Sequence, residues 1–372
     1  MRSPSWWSQR PTLLRHLALL VIGIGVVLAI TAWFSDFHNY ELATLGAYLC
    51  AVAGLTVLTG TNGQVSLGHA ALMAIGGYTV ALLQTFFSDS NISGQWVLPL
   101  SLIAGTVVTT IAGTIFGIAA ARLRGPYLAG ATLALGVALP SIASHFSGVF
   151  KGDQGLTVPF DPPPAGLGQD FALEHWQAWI SMFAALLVLF FLSNLQQSGI
   201  GRHMRAVRDD EIAAALCGLS VARVQVMAFA ISSAAAGLGG GVFAFVLQAA
   251  SPGSFGLALS LALLTAVIIG GLGSLIGAVW GTIAVVYLGT WITDRVDGMN
   301  LSAGWAQNLH DNLPNAVYGL LLIVVMLTLP GGIQGLLHRL RSVVSQRGSN
   351  TTRSFRTSGA SQVPTPPAGG SE

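Results

Sequence analysis

Charge is scarce in this 372-residue chain: Asp, Glu, Lys and Arg make up 8% of it, against about 25% in an ordinary soluble domain. Water is therefore not its main solvent. Lysine is almost missing, with Lys151 the single copy, and no Gly-Lys-Ser or Gly-Lys-Thr triplet occurs. That excludes a P-loop, whose lysine must reach the terminal phosphates. The two cysteines, Cys50 in an apolar run and Cys217 in a polar one, are too few and too far apart in character for a disulfide framework or a metal site. No acidic residue stands clearly inside an apolar run: Glu41, Asp89 and Asp311 fall at edges. A carrier coupled to an ion gradient usually keeps such a residue at membrane depth, so proton coupling is disfavoured. His69 and His145 remain as the deep titratable positions, and each reads first as a hydrogen-bonded structural group.

What is present is apolar: 53% of the residues are hydrophobic. Runs such as Leu17 to Phe34 and Trp179 to Leu195 reach or approach the ~20 residues that cross a ~30 Å hydrocarbon layer. A transmembrane barrel would alternate polar and apolar residues in ~10-residue segments, and these runs are unbroken. The fold class is all-α, a polytopic integral membrane protein. Arg2, Arg10 and Arg15 precede the first run, which is too long for a secretory h-region and lacks a small-residue cleavage site. It reads as a retained first span with residues 1–16 as a cytoplasmic start.

Topology follows from where the arginines cluster, since short cytoplasmic loops carry the excess of basic residues. Arg122 and Arg124, then Arg202, Arg205, Arg208 and Arg223, then Arg339, Arg341, Arg347, Arg353 and Arg356 mark one side. The segments SDFHNYE, SDSNISGQ, an outer loop at 147–175 and TDRVDGMNLSAGWAQNLHDN carry few basic residues and mark the other. Parity then requires a turning point at TGTNGQVS and another at GGLGSLIG. With both counted, about ten transmembrane or partly spanning helices are expected: 17–34, 41–59, 66–87, 96–121, 127–146, 177–196, 224–249, 259–270, 274–292 and 312–330. Two Gly-rich breaks at similar places in two halves suggest an internal two-half repeat and discontinuous helices around a permeation path. Most of the 46 glycines are better read as close-packing positions between helices. The transmembrane unit covers 17–337. Residues 338–372, rich in Ser, Thr, Pro, Gly and Arg, cannot bury a core and read as a disordered cytoplasmic tail.

The first break places Asn62, Gly63, Gln64, Ser66 and His69 between two apolar runs, and the second places Gly270, Gly271, Gly273 and Ser274 likewise. Irregular backbone at membrane depth must face protein or a water-filled path. The polar side chains of the first break either hydrogen-bond the freed backbone groups or line the path. The other polar segment is 199–223. There Asp209, Asp210 and Glu211 stand where a helix dipole favours negative charge, Ile212 and Leu216 share a face, and Gly218 suits the position just past a helix end. This predicts a short amphipathic helix over Val207 to Ser220 lying outside the membrane, with Ser220 capping the next span. Asp153, Asp161, Asp170, Glu174 and His175 on the outer loop lack metal-ligand spacing and read as a solvated surface.

Taken in order, GLTVLTGTNGQVSLGHAALMAIGGYTVALL, RLRGPYLAGATLALGVALPSI, KGDQGLTVP, GRHMRAVRDDEIAAALCGLSVARVQVMAFAISSAAAGLGGGVFA, SPGSFGLALSLALLTAVIIGGLGSLIGAVWG and LPGGIQGLL resemble the permease subunits of branched-chain amino acid ABC importers of the Liv type. The likeness runs from about Gly54 to Leu337 and leaves out the first span and the tail. It implies a transport subunit of a bacterial inner membrane with both termini in the cytoplasm, itself neither an enzyme nor a holder of a cofactor. ATP and magnesium would be bound by two partner ATPases. A second related permease and a periplasmic or lipid-anchored binding protein would complete the assembly, with no nucleic acid involved. The segment with Arg205, Arg208, Asp209, Glu211, Ile212, Leu216 and Gly218 would dock on the ATPase. The importer signature Glu-Ala-Ala followed by Gly is met there with shifted spacing by Glu211, Ala213, Ala214 and Gly218. Branched-chain or related amino acids are the expected cargo, with urea, amides or another small polar solute as the alternative. Two rival classes stay open at this point, an ATP-independent carrier or facilitator and an integral membrane enzyme such as a lipid-linked transferase.

Overall fold

In the computed structural model, residues 12–297 are described apart from 93, 124, 160–162, 165 and 167–170, together with scattered positions between 313 and 335. Residues 1–11, most of the expected 312–330 span, the 338–372 tail, and Asp161 and Asp170 of the outer loop lie outside the described residues.

The chain is helical almost throughout. Helix α1 (Thr12–Trp33) is followed after one bend by α2 (Asp36–Leu55), which runs on into a π-helical turn, Thr56–Thr61. Then come α3 (His69–Asp89), α4 (Val97–Ala120), α5 (Pro126–His145) and a single turn, α6 (Ser147–Phe150). Helix α7 (Leu173–Gln197) leads into α8 (Gly199–Asp209) and α9 (Glu211–Leu216), and α10 (Val221–Leu247), α11 (Leu257–Gly270) and α12 (Leu275–Asp297) complete the described part. Among the described residues, eight helices are long and apolar enough to cross a membrane, and the apolar stretch Leu275–Trp291 is a shorter ninth. The protein is an all-α, multi-pass membrane protein.

Among the described residues the expected spans agree with these helices to within about five residues at each end, and three expectations need correcting. The segment SDFHNYE is largely helix, because Asp36 opens the first turn of α2 and Asn39 is held inside, its Nδ2 donating to the carbonyls of Thr31 and Phe34. The span expected from 66 starts at His69, leaving Asn62–Gly68 non-helical. The helix expected over Val207 to Ser220 is two helices. Asp210 leaves the helical region (φ −158°, ψ 110°) and its carboxylate accepts from the Ile212 and Ala213 amides, at 2.8 and 3.0 Å, so it ends α8 and caps α9. Ser220 stands at the N-cap position of α10, but its hydroxyl makes no capping bond.

Helix α10 is the hub, packed against α2, α3 and α4, with α7 against both α2 and α10 and α1 against α7. In hydrocarbon, helices gain little from apolar burial and instead need close backbone approach. Helix α4 provides it with buried small residues every fourth position, Gly105, Thr109, Gly113 and Gly117, and Gly113 leaves no room for a side chain against Ser233 of α10. Buried hydroxyls turn back onto their own helix, as Thr109 to the Gly105 carbonyl and Ser233 to that of Phe229, so they cost no unpaired donor. At one end of the bundle, β1 (Leu156–Thr157) pairs antiparallel with β2 (Ala249–Ala250). At the opposite end lie α8, α9 and the first turn of α10.

Candidate functional site

The two helix breaks meet. Gly60, in the π-helical turn, lies so close to the second break that a side chain there would overlap the backbone nitrogen of Gly273. Gln196, at the last turn of α7, bridges the two, its Nε2 donating to Thr61 Oγ1 at 3.1 Å and to the Gly273 carbonyl at 3.4 Å. Arg208 of α8 reaches the same point, with Nη1 2.6 Å from the Gly60 carbonyl oxygen. Breaks at 60–68 and 270–274 and the polar segment 199–223 thus form one joint.

Beyond Gly63 the chain climbs through the protein. The N-terminus of α3 is at depth, because His69 Nε2 lies 3.4 Å from Ser232 Oγ, and Ser232 is eleven residues into α10, about 16 Å along its axis. The sequence leaves the depth of this turning point open; α3 starts only where it packs beside Ser232, well along α10, and Asn62–Gly68 cover the interval. Much of the backbone of this interval is paired. Asn62, Gly63 and Gln64 amides donate to the carbonyls of Val57, Thr59 and Leu58, and the Leu67 amide donates to Thr132 Oγ1 of α5 at 2.9 Å. The Ala70 amide donates to Ser260 Oγ of α11 at 3.1 Å.

So the break is braced by the carbonyls of its own π-helical turn and by hydroxyls of other helices, and its side chains do little of it. Asn62 and Gln64 are buried, at 3% and 5% exposure, yet both amide atoms of Asn62, Oε1 of Gln64 and Nδ1 of His69 have no hydrogen-bond partner. Leaving such a group unpaired costs about 1–3 kcal/mol each, so these side chains do not explain the stability of the break. Ser66 is buried beside them. Asn62, Gly63 and Gln64 share the wall of a cavity of about 210 Å³ with Val207, Arg208, Glu211 and Gln225.

The second break is built by glycine and one capping serine. Gly271 and Gly273 have positive φ, +107° and +83°, Gly270 lies directly against the backbone of Gly277, and Ser274 Oγ accepts from the Gly277 amide to start α12.

At the α8–α9 end, Arg205 Nη1 donates to the Gln196 carbonyl at 3.0 Å, and Arg208 pairs with Asp209 at 2.8 Å. Glu211 accepts from Gln225 Nε2 at 2.9 Å, tying α9 to α10. The end of α9 is closed by Gly218 (φ +84°), whose amide donates to Ala215 while the Leu219 amide donates to Ala214. This double bond pattern satisfies the last carbonyls and needs a left-handed residue at that position. Only Ala214 of α9 is buried, whereas Ile212 and Leu216 project outward at 74% and 85% exposure. Two large apolar side chains on one face of a short helix outside the bundle form a surface that water alone does not explain.

Other candidates separate. His145 is exposed at the end of α5 and meets Phe146 edge to face, so of the two histidines only His69 is deep. Glu41, expected at an edge, is buried at 7% exposure, because α2 begins five residues before it. On the outer loop Asp153 accepts from Ser144, and His175 lies between Asn39 and Asp36. Sequence reasoning missed Gln196, Thr132, Ser260 and Gln225. Of these, Gln196 alone left a trace, as part of the Gln-Gln-Ser that ends an apolar run.

Residues 38–327 match the family described as the branched-chain amino acid transport system / permease component. The high-affinity branched-chain amino acid transport system permease protein LivM of Salmonella typhimurium is 32% identical over 294 residues, 73% of this chain and 66% of that protein. LivM of Escherichia coli shows the same identity and coverage. LivH of Escherichia coli, also named as a permease protein of that transport system, is 26% identical over 306 residues, 78% of this chain and 92% of its own. The chain spans 66% of the length of the LivM relatives, and helix α1 precedes the matched region. No solved structure matches.

Proposed function

The chain belongs to the branched-chain amino acid transport permease family, and from that premise we propose that it is the membrane-spanning permease subunit of an ABC importer. Its work is transport, and the energy is supplied by separate ATPase subunits that bind ATP and magnesium. The complete importer contains a second related permease, two such ATPases and a periplasmic or lipid-anchored binding protein, in a bacterial inner membrane. The α8–α9 end faces the cytoplasm. The names borne by the relatives favour branched-chain amino acids as cargo.

The observation that carries this reading is the joint. Exposed Ile212 and Leu216 offer a docking face, and the same segment is hydrogen-bonded through Arg208 to Gly60, where both helix breaks touch. Closure of the ATPases displaces α9 and α8, Arg208 and Glu211 pass the displacement to the break and to α10, and the spans rock against those of the partner permease. On this reading cargo is selected by the binding protein before it reaches the membrane part.

The test is Leu216→Asp in the assembled complex. The side chain is exposed, so the chain should insert and fold normally while losing its ATPase and all ATP-driven leucine uptake. Normal uptake by Leu216→Asp with ATPase still bound would sink the docking assignment. Uptake by the chain alone, driven by an ion gradient and indifferent to vanadate, would sink the importer reading.

A further inference from the structure

Near its start α1 is fastened to the end of α7 by a histidine. His16 is buried and both its ring nitrogens are occupied there: Nδ1 donates to Asn194 Oδ1 at 2.9 Å and Nε2 accepts from Gln197 Nε2 at 3.0 Å. Two turns further on, Gly23 lies too close to Leu186 to carry a side chain without moving it. Between these two fastenings α1, α7 and the first turns of α12 form a groove of about 170 Å³, walled by Leu19 and Leu20, by Leu189, Phe190 and Ser193, and by Ile276. Leu19 and Ile276 are 55% and 63% exposed, so the groove opens outward, and in a membrane-spanning bundle that side is hydrocarbon. It is smaller than the ~300–1,000 Å³ of ordinary ligand pockets, and apart from the paired His16 and the Ser193 hydroxyl its walls are apolar. Such a space suits a thin aliphatic chain and not a compact polar solute.

At the His16 end of the groove the charge is of one sign. Arg15, half-buried, stands one turn before Leu19 on the same side of α1. Arg202 of α8 is exposed and folds back on Gly199, its Nη2 3.9 Å from where a side chain there would begin, and Gly199 is two residues past the Gln197 that holds His16. Among the described residues neither guanidinium has a carboxylate partner. Helix α1 contains no acidic residue, and those of α7 and α12 stand at the opposite ends of these helices. Long basic side chains at the rim of a membrane groove extend to the headgroup level, and basic sites between spans on the cytoplasmic side take anionic headgroups.

We propose that this groove binds one anionic phospholipid of the leaflet on the α8–α9 side, with an acyl chain laid between α1, α7 and α12 and a headgroup phosphate reached by Arg15 and Arg202. The binding stands by itself; the proposal rests on the permease reading for calling that leaflet cytoplasmic and for its effect on transport. Helix α12 begins at Leu275, directly after the second break, and Gln196 in the last turn of α7 bridges both breaks. The lipid therefore packs on the two helix ends that hold the joint and ties to them α1, which precedes the family-matched residues 38–327. Uptake depends in consequence on the anionic lipid content of the membrane.

The experiment uses the full chain, delipidated in detergent and titrated with phosphatidylglycerol, with phosphatidylethanolamine of the same acyl chains and with glycerol 3-phosphate, bound molecules being counted by native mass spectrometry. Phosphatidylglycerol is expected to form a one-to-one complex at least tenfold more tightly than phosphatidylethanolamine, and glycerol 3-phosphate none. Leu19→Trp and Ile276→Trp fill the groove from two walls at exposed positions and should each abolish that complex. Arg15→Gln combined with Arg202→Gln should erase the preference between the two lipids. Phosphatidylglycerol with a photoreactive acyl chain should label 186–193 and 275–279 of the unaltered protein, which reads the site without any substitution. Equal binding of the two lipids, glycerol 3-phosphate bound as tightly as lipid, labelling confined to other segments, or unchanged phosphatidylglycerol binding in both tryptophan variants overturns the site. So does disulfide capture of Ile276→Cys by a second protein chain, which makes the groove a contact between subunits. In nanodiscs the assembled importer should hydrolyse ATP at least threefold more slowly without phosphatidylglycerol than with it, and equal rates overturn the link to the joint. Failure of the ATPases to associate overturns the permease reading instead, and lipid binding to the chain alone still decides the site.

Discussion

Gly60 and Gly273 lie backbone against backbone, so that a methyl group on Gly60 would overlap the Gly273 nitrogen. Two breaks more than 200 positions apart in the chain are thereby one structural object. Contacts of this kind fail by overpacking, which costs about 1–3 kcal/mol, and the neighbour here is main chain, which cannot rotate away. Gly60→Ala is expected to lower the thermal unfolding temperature of the solubilised protein and to reduce uptake more than tenfold. A substitution at Gly25, where nothing lies within 4 Å, is the control and should change neither.

Arg208 holds the joint to α8 through the Gly60 carbonyl while its other nitrogens pair with Asp209. The Asp209 pair is exposed and contributes at most about 1 kcal/mol, so Asp209→Asn should leave stability and uptake near normal. Arg208→Lys keeps the charge but loses the planar fork that serves both partners at once. Its expected phenotype is intact folding and ATPase association with coupled uptake several-fold lower, read as ATP consumed per leucine imported.

Gly218 adopts φ +84° at the end of α9, where a side chain costs about 1–2 kcal/mol. Gly218→Ala should accelerate amide exchange through residues 211–219 and weaken ATPase association, leaving exchange in α2, α3 and α10 unchanged. Faster exchange throughout the bundle would instead indicate a global role for this glycine.

The parts of this architecture that could be read from the chain are those governed by local composition. Helices α4, α5 and α10 coincide with their expected ranges because an uninterrupted apolar run has one solution in hydrocarbon, and the acidic trio at 209–211 correctly announced a helix start. The split at Asp210 was less legible: three acidic residues in a row each suit a first turn, and only the backbone at Asp210 decides which one caps. The depth of His69 depends on Ser232 and the meeting of Gly60 with Gly273 depends on how two hairpins pack, neither of which periodicity records. The hydroxyls of Thr132 and Ser260 looked like ordinary spanning residues because hydroxyls usually satisfy themselves within their own helix.

The central claim is that α8 and α9 move the first break. Gln64 reports on it directly, since it is buried at 5% exposure in the wall that Arg208 and Glu211 share. In a background with Cys50 and Cys217 replaced, the measurement is the rate at which Gln64→Cys reacts with a small polar thiol reagent in the assembled importer, nucleotide-free and vanadate-trapped. The account predicts that the rate changes at least tenfold between the two states, and that adding Arg208→Lys removes most of the difference. Equal rates in both states, in a complex that still imports leucine, would contradict it.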